Sequence, residues 1–300
     1  MFMELNDSLY NNYRKAGEIL KTVKEESKKL VVDNYKVVDL VEFIEKKIIE
    51  LGGFPAFPCN ISINSVAAHY TPNLTTDLTL KTGDYVKVDI GCHIEGCIAD
   101  SAYTVKVSEK DDNLILSTQE ALKNAIDVVE PGVKTNYIGK VIEDTIKEFN
   151  FNPIKDLCGH GLKPYILHTG TTVPNYNSNM GTKIKEGDTL AIEPFASTKA
   201  GKLKNSEEVY IFKYLQDRPL RDPGSKKLLS VIKQNYKTLP FAERWLERDY
   251  SDLKINFSLR NLIRANAIYP YNVLIDSEGG LVSQAENSVI VTSNGCEVYT

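Results

Sequence analysis

Two aspartates flanking a short turn constrain this chain more than any other feature: Val-Lys-Val-Asp89-Ile-Gly, then Cys-His-Ile-Glu-Gly-Cys-Ile-Ala-Asp100-Ser-Ala. Val86, Val88 and Ile90 alternate with Tyr85, Lys87 and Asp89, the period of two that marks a strand, and His93-Ile-Glu-Gly96 supplies a turn. A hairpin centred on those four residues sets Asp89 opposite Asp100, with Cβ atoms roughly 5 Å apart. Carboxylates held that close repel, so a buried face would make them share either a proton or a cation. A metal site is the leading expectation; an exposed hairpin with a solvated acidic face is the plain alternative.

Other residues of the same chemistry recur downstream. Gly159-His160-Gly161 presents a histidine that reads as part of a loop, Thr189-Leu-Ala-Ile-Glu193-Pro-Phe reads as a strand ending in an acid, and Val-Ser-Gln-Ala-Glu286-Asn-Ser-Val-Ile-Val reads as another strand bearing one. Taken singly, each of these is more often a surface or packing residue. Together, four carboxylates and one imidazole suit Mn, Fe, Co or Zn. One divalent ion leaves two negative charges uncompensated and two ions leave none, so charge favours a two-metal site that activates a shared water.

The rest of the chain is that of an ordinary globular protein. At 42% hydrophobic and 25% charged, with a net charge of −4, its 300 residues can bury a substantial core. No apolar run approaches the roughly 18 residues of a membrane span, and Met-Phe-Met-Glu-Leu-Asn-Asp lacks the basic and apolar regions of a leader. Cys59, Cys92, Cys97, Cys158 and Cys296 are odd in number with no Cys-x-x-Cys pair, which fits reduced structural thiols in the cytoplasm.

Helical spacing of Val37, Leu40, Val41, Ile44, Ile48 and Leu51, stopped by Gly52-Gly53, predicts a helix near the N-terminus. Further helices are expected over 117–129, 137–148, 226–236 and 259–267, and a small, polar loop over 54–64. Residues 199–264 carry 15 Lys/Arg against 8 Asp/Glu, a net +7, which leaves −11 on the remainder. This segment, with the only tryptophan, Trp245, is expected to be an inserted helical subdomain, and 1–198 with 265–300 the catalytic domain. Its basic charge reads first as a solvated face.

In order and approximate spacing, Asp89, Asp100, Gly-His160-Gly, Ile-Glu193-Pro-Phe and Gln-Ala-Glu286 resemble the five-ligand signature of methionine aminopeptidases. His69-Tyr-Thr-Pro and Leu167-His168 match two further histidines of that family. The resemblance runs from about residue 5 to residue 300. The insert before the last acid resembles the type II branch, and the absence of a long N-terminal extension resembles its archaeal form. The resemblance implies an α+β pita-bread fold: two pseudo-symmetric halves forming a curved antiparallel sheet, helices on its outer face and two divalent metal ions in its hollow. It also implies that Asp89 holds one ion, His160 and Glu193 the other, and that Asp100 and Glu286 bridge them. Glu193 would serve as general base and acid, His168 would stabilise the oxyanion and His69 would contact the scissile amide. Phe57, Leu167, Phe195 and Tyr271 would line the methionine pocket, although a further pocket histidine of some relatives has no match over 196–209.

The implied activity is removal of the initiator methionine from peptides and nascent proteins by a cytoplasmic monomer, with the basic insert as a weak ribosome contact. Two other readings compete. One is a proline-directed peptidase of the same fold, which usually carries an extra N-terminal domain. The other is a silent ribosome- or RNA-binding adaptor, which typically has lost ligands.

Overall fold

The computed structural model describes residues 6–250 and 254–300; the first five residues of the leader reading, and 251–253 within the basic segment, lie outside them. Helices α1 (Asp7–Lys28) and α2 (Val37–Glu50) open the chain. Asn6 caps α1 by accepting from the Leu9 amide at 3.0 Å, and Gly52, in the left-handed region at φ +86°, lets the chain turn out of α2. Both helices lay an apolar stripe on a three-stranded sheet ordered β1 (Phe54–Ile63), β3 (Tyr85–Ile94), β4 (Cys97–Lys106). The short strand β2 (Val66–Ala68) lies between β1 and β3 in sequence. Leu20, Val41, Ile44, Val88 and Ile90 form the centre of this first core.

Two expectations fail here. The stretch expected as a loop over 54–64 is strand β1. Pro55 and Pro58, which made it look irregular, are tolerated because β1 is an edge strand, and its pairing with β3 is shifted at Pro55/Phe57 and Phe57/Asn60. The hairpin register also differs from the one the sequence suggested. The turn is only Glu95-Gly96, both at positive φ (49° and 87°), so Ile94 pairs with Cys97 and His93 with Ile98. Asp100 therefore faces Gly91, and Asp89 faces Ala102. A slip of two keeps both acids on one face but makes them diagonal neighbours, where Cβ atoms are roughly 7–8 Å apart.

The second half repeats the plan of two helices on antiparallel strands. Helix α3 (Asn113–Asp127) begins four residues before the expected 117 because Asp112 caps it, accepting from the Leu114 amide at 3.0 Å, and α4 (Thr135–Glu148) packs beside it. After β5 (Asn152–Pro153) come β6 (Cys158–Leu162), β7 (Thr172–Pro174), β8 (Thr189–Ile192) and β9 (Phe195–Ser197). Near the C-terminus, β13 (Val282–Gln284) pairs with β9, while β14 (Asn287–Thr292) and β15 (Gly295–Val298) extend the sheet to the order β15-β14-β8-β6-β7. Leu114, Ile138, Ile142, Val173, Leu190 and Val289 lie in the second core.

The segment 199–264 is not helical throughout. It opens on β10 (Leu203–Tyr214), a long strand without clean alternation, because its pairing shifts between Asn205 and Val209 and again before Ile211. Helix α5 (Pro223–Tyr236), strand β11 (Pro240–Ala242) and helices α6 (Glu243–Asp249) and α7 (Ile255–Arg264) follow. Helix α7 starts before the expected 259 and stops short of 267, where Asn266 takes a left-handed conformation. A third core, with Leu228, Phe241, Trp245 and Leu262, holds this segment together. Strand β10 binds it to the remainder by pairing with β12 (Ile268–Asp276), which pairs in turn with β2.

Candidate metal centre

The candidate site residues of the sequence meet in one cavity of about 260 Å³. Asp89, Asp100, His160, Glu193 and Glu286 line it together with His69 and His168, and Phe57, Leu167, Phe195 and Tyr271 form much of its apolar wall. Asp89 and Asp100 come from the hairpin, His160 from β6 and Glu193 from the residue after β8. His160 is in a strand, not the expected loop: its flanking glycines disguise strand β6, which they occupy because neighbours leave no room for a side chain. A Cβ on Gly159 would lie 2.4 Å from the Ala191 carbonyl oxygen, and one on Gly161 would lie 2.2 Å from the Thr169 hydroxyl. Glu286 sits between β13 and β14 and bridges to Ala102 of β4, so the last acid is brought against the first hairpin.

The polar atoms converge. His160 Nε2 lies 3.7 Å from an Asp100 oxygen and 3.6 Å from a Glu193 oxygen. Asp100, His160 and Glu286 each offer one ligand atom within 4.8 Å of those of the other two. The Gln284 amide donates to Asp89 at 3.4 Å and to Glu286 at 3.3 Å, which ties the diagonal acids together. Oδ1 of Asp89 and Oδ1 of Asp100 are nonetheless buried without any donor. Buried carboxylate oxygens without a donor, next to three other acids and an imidazole nitrogen, are a donor set suited to divalent cations.

Electrostatics agree. Burial, opposed by the Gln284 hydrogen bond, pushes Asp89 up to about 7. Burial and then the neighbouring acids push Asp100, Glu193 and Glu286 well above the usual carboxylate range, with Lys24 pulling Glu286 the other way. Burial and the adjacent His168 hold His160 low. His168, whose ring centroid is 4.3 Å from that of His160, is lowered to about 4 by burial, Lys213 and His69. His69 adopts φ +67°, an uncommon conformation for a non-glycine, which turns its ring to Tyr271 at 5.3 Å between centroids. Its Nδ1 lies 3.1 Å from the Asn272 carbonyl oxygen.

The raised carboxyls carry a prediction for the chelated protein. Between the ordinary carboxylate value of about 4 and about 7, the folded state holds protons that the unfolded state has released. Metal-free protein should therefore lose stability as pH rises through that window, and added divalent ions should restore more at pH 8 than at pH 5. Thermal melts with chelator and with Mn(II) at both pH values check this; stability of the chelated protein that increases across the window would refute it.

Sequence reasoning missed part of the wall. Ile211 of β10 and Pro240 of β11 line the cavity, so the basic segment contributes to the pocket. Ile211 lies just beyond 196–209, the stretch in which a further pocket histidine has no match. Only alternation could have signalled it, and the register shifts of β10 break that pattern. All five cysteines are free, and Cys92 and Cys97 are buried as expected of structural thiols.

The profile of metallopeptidase family M24 matches residues 11–227. A methionine aminopeptidase from Thermococcus onnurineus is 48% identical over 287 residues, covering 95% of this chain and 97% of its own. Among solved structures, that of a thermophilic Arx1 superposes with a TM-score of 0.85 at 20% identity, covering 98% of this chain and 91% of its own. A methionine aminopeptidase from Thermotoga maritima superposes with a TM-score of 0.74 at 22% identity, covering 100% and 99%. The structural likenesses bear on the fold alone, and they agree with the expected α+β pita-bread arrangement. Sequence likeness over nearly the full length does more: the chain belongs to metallopeptidase family M24, on the branch of its archaeal methionine aminopeptidases.

Proposed function

We propose that the chain hydrolyses the first peptide bond of peptides and nascent proteins that begin with methionine, in the cytoplasm and as a monomer. One observation carries the reading: four mutually repelling carboxylates, Asp100 and Glu286 buried and Asp89 and Glu193 partly so, converge with His160 on one largely apolar cavity. In this reading Asp89 would hold one divalent ion, His160 and Glu193 would hold a second, and Asp100 and Glu286 would serve both, with Mn, Fe, Co and Zn all compatible with the donors. The ions would supply Lewis acidity and lower the pKa of water.

The protein's own groups then have distinct tasks. Glu193, whose buried carboxyl binds protons more readily than a free one, takes a proton and passes it toward the leaving amine. His168 is neutral at physiological pH and donates a hydrogen bond to the oxygen on which charge develops. His69 contacts the scissile amide. Phe57, Leu167, Phe195 and Tyr271 receive the methionine side chain, joined by Ile211 and Pro240. We further propose that 199–264 is an insert in a catalytic domain made of 1–198 and 265–300, and that its net +7 gives weak affinity for ribosomes. Ribosome pelleting that survives reversal of several of these charges would remove the last point.

The test is release of methionine from Met-Gly-, Met-Val- and Met-Pro-starting peptides, with N-terminally blocked and Xaa-Pro peptides as controls, before and after chelation. Expected is methionine release from free N-termini only, abolished by chelation and restored by a divalent ion. Cleavage confined to Xaa-Pro substrates would assign the chain to the proline-directed peptidases, and no hydrolysis with any of the four metals would favour an adaptor.

A further inference from the structure

Glu286 reaches the hairpin through a junction that is barely a sheet. Among the described residues, the only backbone bridge between β4 and the start of β14 is Ala102–Glu286, with N···O distances of 3.3 and 3.0 Å. Hydroxyls do the remaining work. Ser288 Oγ accepts from the Asp100 amide at 2.9 Å and donates to the Asp100 carbonyl at 2.8 Å. Thr104 Oγ1 donates to the Gln284 carbonyl at 2.6 Å and accepts from its amide at 2.9 Å. Ser101 Oγ donates to the Glu286 carbonyl at 2.8 Å. Ser101 and Ser288 are fully buried and Thr104 nearly so.

One charged group closes this seam from behind. Lys24 of α1 donates to Ser101 Oγ at 2.7 Å and to Asn287 Oδ1 at 3.2 Å, the residues immediately after Asp100 and Glu286. Its ammonium thus spans β4 and the first residue of β14, beside Asp100 of β4 and Glu286 just before β14, both of which face the cavity. We propose that Lys24 is a positioning residue for the metal centre, fixing the separation of Asp100 and Glu286 through Ser101 and Asn287. This rests on the assignment of those two acids as shared ligands. Partners of this kind, which orient ligands without touching the metal, typically change metal affinity by 10–100-fold when removed.

The sign of the effect separates positioning from charge. As a fixed cation beside a cation site, Lys24 on charge alone would weaken metal binding, and its removal would tighten it. Positioning has the opposite consequence. The experiment is calorimetric titration of chelated protein with Mn(II), comparing wild type, Lys24→Met and Ser101→Ala. Lys24→Met is expected to bind Mn(II) about 10–100-fold more weakly, with kcat recovered at saturating metal and KM for a Met-Gly peptide unchanged. Ser101→Ala should shift affinity in the same direction, and the double variant should be no worse than Lys24→Met. Wild-type or tighter Mn(II) affinity in folded Lys24→Met would overturn the assignment. If that variant does not fold, unaltered affinity in Ser101→Ala would overturn it instead. A wild-type protein that takes up no Mn(II) would bring down the ligand assignment as well, whereas equal uptake by wild type and variant would bring down the role of Lys24 alone.

Discussion

Replacing Glu193 by glutamine is expected to lower kcat for methionine release by on the order of 10²–10⁴-fold, the range spanned by general acid–base groups. The two side chains are nearly the same size, and Glu193 lies in the cavity just beyond β8, so the fold should be little disturbed. What is lost is basicity. A carboxyl raised by burial and by Asp100 and Asp89 can accept and return a proton near neutral pH, and an amide cannot. Because Glu193 also stands 3.6 Å from His160 Nε2, the metal content of the variant must be measured beside its rate. A rate close to that of wild type with normal metal content would exclude Glu193 as the proton carrier.

Arg244→Met is expected to cost about 3–5 kcal/mol of stability, as does breaking a buried pair by removing one partner. Arg244 Nη2 sits 2.8 Å from Glu45 Oε1, and both side chains are almost inaccessible to solvent. The other Glu45 oxygen accepts from Trp245 Nε1 at 2.7 Å, and Oε1 also accepts from the Cys59 amide at 3.2 Å. Burial raises the Glu45 carboxyl above its ordinary value even with Arg244 pulling it down. Without the guanidinium it must take up a proton or drag water into the contact between α2 and α6. Urea unfolding of Arg244→Met and of Glu45→Gln/Arg244→Met checks this. The double variant should recover part of the loss, and a single variant as stable as wild type would show that the pair is idle.

The sequence made the site far more legible than its scaffold. The five candidate ligands could be read because acids and an imidazole at ordered positions are chemically unusual, and the cavity gathers all of them. Register could not be read, because two turn lengths of equal parity put the same residues on the same face. Only the left-handed Glu95 and Gly96 decide between them. Strand β1 was hidden by its prolines, which an edge strand can carry and a central one cannot. Ile211 was hidden because β10 shifts its pairing just before it, and Pro240 because β11 is only three residues long. Lys24 resembled any other solvent-facing lysine of an amphipathic helix, since only the folded chain sets β4 and β14 against it.

The way the acids are distributed along the chain bears on how the protein is made. Asp89 and Asp100 are synthesised early, but the cluster of acids to which they belong is complete only once Glu286 has emerged and bridged to Ala102. A partial chain, whether still being translated or clipped before β13, therefore carries a repelling pair of carboxylates and no complete centre. If Glu286 is a ligand as proposed, a copy that lacks the final strands should be an inactive and harmless one.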